Sequence, residues 1–95
     1  MKDRTIDTVT LRKHRVSVGV ITLAHYGPRV SLTMNGPDAR VSISCADTSS
    51  VRDFARGMRD ELAWFRPRQR RNVARLCDAL DQAAKSVDAA RKRDA

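Results

Sequence analysis

The sequence predicts an α+β fold: an antiparallel meander of three, or four, strands followed by two helices, with the first helix packed on the sheet. Three observations carry this prediction. Apolar and polar residues alternate through residues 16–45, as in half-buried strands. The apolar spacing becomes helical after residue 47, and a second helical stripe follows Pro67. A meander with one aliphatic face needs helices to cover that face.

The first strands have the weakest alternation in the chain. Ile6, Val9 and Leu11 fit a short edge strand, whereas the charges of residues 1–15 equally fit a flexible basic arm. Residues 16–20 alternate with period two, but Ile21 and Leu23 fall on the opposite parity. We therefore expect a bulge between residues 19 and 21, and then a turn over residues 25–28, which include a glycine and a proline.

Residues 30–45 contain the strongest local signal in the chain, two alternating runs around the turn sequence Asn-Gly-Pro-Asp. One face of this hairpin is aliphatic. The other face is almost entirely Ser and Thr, namely Ser31, Thr33, Ser42 and Ser44, with Arg40 beside them.

The first helix is predicted to begin near residue 48. Ser50 and Asp53 have the spacing of a capping box, and Asp47 or Thr48 are alternative caps. Gly57 weakens this helix, and we expect close approach to a strand to require it. The apolar stripe of this helix contains Val51, Phe54, Ala55, Met58, Leu62 and Phe65.

The second helix is predicted from about Arg68 onward. Its length, about 36 Å for 24 residues, exceeds that of a seven-residue strand, about 23 Å. We therefore expect it to overhang the sheet unless it also packs on the first helix or on another chain. Asp81 with Lys85 and Asp88 with Lys92 have the spacing of stabilising ion pairs. Self-association through this helix is a hypothesis, and its seam would be Val73, Leu76, Leu80, Ala83 and Val87.

The 95 residues are expected to form one small domain with a formal net charge of +8, which favours anionic partners. Arginine far outnumbers lysine, which is typical of a GC-rich bacterial or phage genome and reduces the weight of arginine abundance alone. We see no secretory signal and no apolar run long enough for a membrane helix, so we expect a cytoplasmic protein that does not bind membranes.

No residue pattern indicates catalysis. His14, His25, Cys45 and Cys77 lack the spacing of metal ligands, and the two cysteines are expected to be buried core residues. The chain also lacks a nucleophile elbow and a phosphate-binding glycine loop. We therefore predict neither an enzyme nor a metal or cofactor site.

The candidate site is the arginine-rich junction between the helices, where arginines crowd a helix start without a neighbouring acid. It comprises Trp64, Arg66, Arg68, Arg70, Arg71 and Arg75. A secondary basic patch comprises Arg12, Lys13 and Arg15. Arginine suits both carboxylate and phosphate. We expect a non-enzymatic binding protein that engages an acidic protein partner, or assembles with itself, through its helices and this junction; the alternative is a nucleic-acid-binding module that contacts phosphates through residues 66–75.

Overall fold

A computed structural model describes residues 4–94 and confirms the α+β fold class. Four antiparallel strands form one sheet in the order β1-β2-β3-β4, and two helices follow. Residues 1–3 of the predicted arm lie outside the described residues. The elements are β1 (Arg4–Leu11), β2 (His14–Leu23), β3 (Gly27–Asn35), β4 (Arg40–Cys45), α1 (Thr48–Asp60), a 3₁₀ turn (Leu62–Trp64) and α2 (Pro67–Asp94).

Of the two alternatives for the first residues, the edge strand is the one observed. β1 pairs with β2 from Arg4↔Val20 to Leu11↔His14, and Arg12 and Lys13 make the turn between them. Arg12 has a φ of 59°, in the left-handed region that residues other than glycine rarely adopt. β3 begins directly after the β2–β3 turn at Gly27, whose φ of 72° is a conformation that glycine adopts without steric cost.

The bulge predicted between residues 19 and 21 is wrong, and the irregularity of the sheet lies in the neighbouring strand instead. β2 runs in unbroken register with β3 from residue 15 to residue 23, so residues 19–21 contain no bulge. The register shift lies in β1, between Thr5 and Asp7. Gly19 lies opposite this irregularity, and a Cβ atom added to it would stand 2.6 Å from the carbonyl oxygen of Arg4. The glycine is therefore needed because the bulged strand passes directly over it.

α1 begins through a cap that the sequence offered as the second choice. The side chain of Asp47 accepts hydrogen bonds from the backbone N–H groups of Ser49 and Ser50, so Asp47, rather than Ser50, is the N-cap. Bonds from the two serine hydroxyls and amides lower the pKa of Asp47 to about 2. Two expectations for the body of α1 are wrong. Phe54 is 55% exposed, and a Cβ atom at Gly57 would meet nothing within 4 Å.

α2 supplies most of the cover for the sheet. It lies across β1, β2 and β3, while α1 contacts the sheet but packs mainly against α2. Its 28 residues make it about 42 Å long, and it packs on α1 as well as on the sheet, which is one of the alternatives to an overhang. The predicted oligomer seam is, however, part of the core: Val73, Leu76, Leu80, Ala83 and Val87 are all buried within the chain. These side chains consequently have no free surface for a second copy.

Charged groups join the two helices across their outer surface. Asp88 accepts hydrogen bonds from the Thr48 hydroxyl (2.7 Å) and from Arg52 (2.6 Å), and these two contacts lower its pKa. Arg59 pairs with Asp78 at 2.8 Å and with Asp81 at 2.6 Å, which raises the pKa of the guanidinium. The acids of α2 therefore pair with arginines of α1 rather than with the lysines one turn away on their own helix.

Candidate anion-binding cleft

The two basic patches of the sequence meet at one end of the molecule. A cleft of about 1050 Å³ opens there between the β1–β2 turn and the junction that precedes α2. Arg12 approaches from the turn, and Arg66 and Arg68 approach from the junction. Residues separated by more than fifty positions in the chain thus surround one space. The full lining is Leu11, Arg12, His14, Met34, Trp64, Phe65, Arg66, Arg68, Gln69 and Val73.

The junction adopts a specific shape because Phe65 anchors it. The 3₁₀ turn leaves Phe65 in extended backbone, and its side chain packs against the hydrophobic core. Arg70, in the first turns of α2, stabilises the 3₁₀ turn through two hydrogen bonds. Its Nε donates to the Phe65 carbonyl oxygen at 3.0 Å, and its Nη2 donates to the Ala63 carbonyl oxygen at 3.4 Å. Trp64, next to this anchor, points away from the core and is 83% exposed.

The cleft combines an apolar floor with a cationic rim. Leu11, Phe65 and Val73 belong to the core or pack against it, and we call these three residues, with the more exposed Met34, the floor of the cleft. Arg12, Arg66 and Arg68 are all exposed. No carboxylate lines the cleft among the residues of the structure that are described. α2 also begins here at Pro67, and the first turn of a helix carries partial positive charge. The electrostatic potential of the cleft is therefore positive, and no carboxylate of the described lining competes with an entering anion for the arginines.

Not all of the predicted site residues face this space. Trp64, Arg66, Arg68 and Arg12 line the cleft, whereas Arg71, Lys13 and Arg15 are exposed outside its lining.

Two further arginines of the predicted site have structural contacts instead. Arg70 holds the 3₁₀ turn, as described above. Arg75 forms an ion pair with Asp7 of β1 at 2.8 Å and also donates to the Thr8 carbonyl oxygen at 3.4 Å. The acid that neutralises Arg75 is distant in sequence, which is why the local composition of the junction did not reveal it.

Sequence reasoning also missed members of the cleft. Four of them come from four different elements, namely Leu11, His14, Met34 and Gln69. A strand pattern could have indicated only that Leu11 and His14 lie side by side, because these two residues pair across the β1–β2 turn. His14 lies against Gly36, where an added Cβ atom would come within 2.5 Å of the imidazole. The glycine of the β3–β4 turn thus makes room for the histidine at the edge of the cleft.

Both cysteines were expected to be buried in the core, and this is confirmed for Cys77 alone. Cys77 is fully buried in the core, and burial raises the pKa of its thiol, so the thiol stays protonated at neutral pH. Cys45 is partly buried and free, and its Sγ lies 3.5 Å from the Asp47 carbonyl oxygen. Within the described part of the chain, no three potential metal ligands cluster together, and no helix is long and apolar enough to cross a membrane.

Comparison with known proteins adds no family to these observations. No protein family matches the chain, and neither a curated protein nor a solved structure is significantly similar to it.

Proposed function

We propose that this protein is a non-enzymatic binding module that holds an acidic segment of a protein partner in the basic cleft. One observation carries the proposal: two basic segments from opposite halves of the chain surround a single cleft with an apolar floor. Arginine side chains at a rim suit carboxylates, because a guanidinium fork can donate two parallel hydrogen bonds. An apolar floor suits aliphatic or aromatic anchors, which contribute most of the energy at protein interfaces.

The composition of the cleft favours a peptide over a nucleic acid. Leu11, Met34, Phe65 and Val73 form an apolar floor that a sugar-phosphate chain would leave unfilled. A segment that alternates carboxylates with apolar anchors would use the floor and the rim together. One observation favours the alternative of nucleic acid, namely Trp64, whose exposed ring beside arginines resembles a stacking platform for bases.

Trp64 provides the assay, because it is the single tryptophan of the chain and lines the cleft. We would titrate the protein with peptides of eight to twelve residues that contain Asp or Glu, with and without Leu or Phe anchors, and with single-stranded and duplex oligonucleotides. We expect the anchored acidic peptide to shift the Trp64 emission to shorter wavelength and to bind more tightly than the unanchored peptide. Equal binding of both peptides would contradict a role for the floor.

Charge reversal identifies the surface that binds. The double variant Arg66→Glu/Arg68→Glu should weaken the anchored peptide by about tenfold or more, since each change replaces an attraction by a repulsion. Arg56→Glu is the matched control, because Arg56 is exposed on α1 and does not line the cleft. If the oligonucleotides bind more tightly than any peptide, with a steep loss of affinity as salt rises, the nucleic-acid alternative replaces the proposal.

A further inference from the structure

The two outer edges of the sheet differ in how their backbone groups are satisfied. At the β1 edge, the Thr8 N–H donates to the Asp7 side chain at 2.8 Å, and the Thr8 carbonyl oxygen accepts from Arg75 at 3.4 Å. The Thr10 carbonyl oxygen accepts from Asn72 at 2.7 Å. Together with the bulge in β1, these contacts from α2 close the edge against another strand.

The β4 edge has no comparable protection. The hydrogen bond from the Gly36 N–H to the Ala39 carbonyl oxygen closes the β3–β4 turn. Because hydrogen-bonded and non-hydrogen-bonded pairs alternate along an antiparallel ladder, the N–H and C=O groups of Arg40, Ser42 and Ser44 point away from β3. Within residues 4–94 we find no hydrogen bond to these outward groups. Arg40 is the only charged residue of the strand, so the rest of β4 lacks the charged side chains that usually protect an edge.

The inner face of β4 is equally uncovered. α2 crosses β1, β2 and β3 and leaves most of β4 open. Val41 and Ile43 point to the same side of the sheet as the core, yet they are 51% and 57% exposed. Both an unpaired backbone edge and an apolar strip therefore run along the same six residues.

We propose that β4 pairs with the β4 strand of a second copy of this chain, antiparallel and centred on Ser42. In this register Ser42 faces Ser42, and Arg40 of each copy faces Ser44 of the other. All three outward-pointing residues of both strands then form ladder hydrogen bonds. Val41 of each copy faces Ile43 of the other on the inner side, so the two apolar strips join into one.

Charge and area together define a weak dimer. In this register Arg40 of each copy lies opposite the end of the other strand, and Asp47, the cap of α1, follows that end by two residues, so both ends of the ladder carry charges of both signs. A pairing of two six-residue strands is small beside the roughly 1,200 Å² or more that stable interfaces bury. Two chains of net charge +8 also repel each other. The dimer should therefore form at high protein concentration and strengthen as salt screens this repulsion.

Sedimentation equilibrium of the full chain, over a wide protein concentration range at low and high salt, tests the pairing. We expect a monomer at low concentration, a rising dimer fraction at high concentration and tighter association at higher salt. Ser42→Pro removes an outward N–H without removing a bond to β3, and Ile43→Lys places a charge on the apolar strip. Each should raise the dimer dissociation constant by about tenfold or more.

The control is Tyr26→Lys, because Tyr26 is an exposed apolar residue in the β2–β3 turn, away from β4. It adds the same charge and should change the dimer constant by less than a factor of about two. Circular dichroism of each variant verifies that the monomer is folded. A monomer mass at every concentration would overturn the proposal, and so would a dimer that both β4 variants leave intact. A cleft that fails to bind peptides leaves these outcomes unchanged, because neither Ser42 nor Ile43 lines it.

Discussion

Gly19 and Gly57 should respond in opposite directions to the same substitution. A Cβ atom at Gly19 would lie 2.6 Å from the backbone oxygen of Arg4, closer than real Cβ atoms come to any neighbour. The bulged β1 strand must therefore move when Gly19 becomes Ala. Overpacking of this kind costs typically about 1–3 kcal/mol of the free energy of unfolding. For a domain of this size that corresponds to a decrease in Tm of about 4 °C or more.

Gly57→Ala is the matched control. A Cβ atom there meets nothing within 4 Å, and the residue lies in the interior of α1. Alanine in an exposed helix interior is more favourable than glycine by about 0.8–1 kcal/mol, so this variant should be more stable than the parent chain.

Urea unfolding followed by circular dichroism at 222 nm measures both variants on one scale. We expect the midpoint to fall for Gly19→Ala and to rise for Gly57→Ala, with equal slopes for all three proteins. A Gly19→Ala variant as stable as the parent would show that β1 does not pass over Gly19 as described. A loss of stability in Gly57→Ala would instead support the prediction from the sequence that a strand closely approaches Gly57.

Three further changes test particular contacts. Asp47→Asn retains a capping side chain but not the charge. Because the pKa of Asp47 in the folded chain is lowered to about 2, the parent chain should be more stable than this variant above pH 4, and the difference in stability should disappear as the pH falls towards 2. Urea unfolding at several pH values measures this difference. Gln69→Met should raise the free energy of unfolding by about 1 kcal/mol, because the Gln69 Oε1 atom is buried without a partner among the described residues; a loss would mean that this oxygen is satisfied. Arg75→Met should lower it by about 0.5–1.5 kcal/mol and speed hydrogen exchange in β1, and unchanged exchange would count against the sealing of that edge.

The regular elements could be predicted because their signals are local. Alternation through residues 30–45 and the Asn-Gly-Pro-Asp turn were sufficient for the β3–β4 hairpin, and the stripe after Pro67 was sufficient for α2. Local pattern did not distinguish an edge strand from an arm in residues 4–11. Besides its pairing with β2, β1 is held by Asn72 and Arg75, which are more than sixty residues away.

The errors in the fold have the same origin. The change of parity at Ile21 and Leu23 predicted a bulge, whereas β2 is regular and these two residues lie on the face of the sheet opposite the core. Helical periodicity placed Phe54 on the apolar stripe of α1, whereas α2 rather than α1 covers most of the sheet, and Phe54 remains exposed. The proposed seam of α2 was an apolar stripe whose partner turned out to be the sheet of the same chain.

The candidate site was predictable in composition and not in shape. The sequence showed Arg12 and the junction arginines as two separate basic patches. That Arg12, Arg66 and Arg68 surround one cleft depends on the β1–β2 turn and the start of α2 meeting at the same end of the molecule. Likewise, Arg70 contacts backbone carbonyl groups and Arg75 contacts a carboxylate, and the composition of the junction does not show where these groups lie.

The central claim is that the β1–β2 turn and the junction act together as one anion-binding surface. A titration of ¹⁵N-labelled protein with the anchored acidic peptide, followed by two-dimensional NMR, tests it most directly. The account predicts that one binding curve describes the shifts of two groups of signals, the backbone amides of residues 11–14 and those of residues 64–69 with the indole N–H of Trp64. The amide signals of residues 51–57 on α1 should not shift. Shifts confined to one of the two segments, or spread evenly over all exposed arginines, would contradict it.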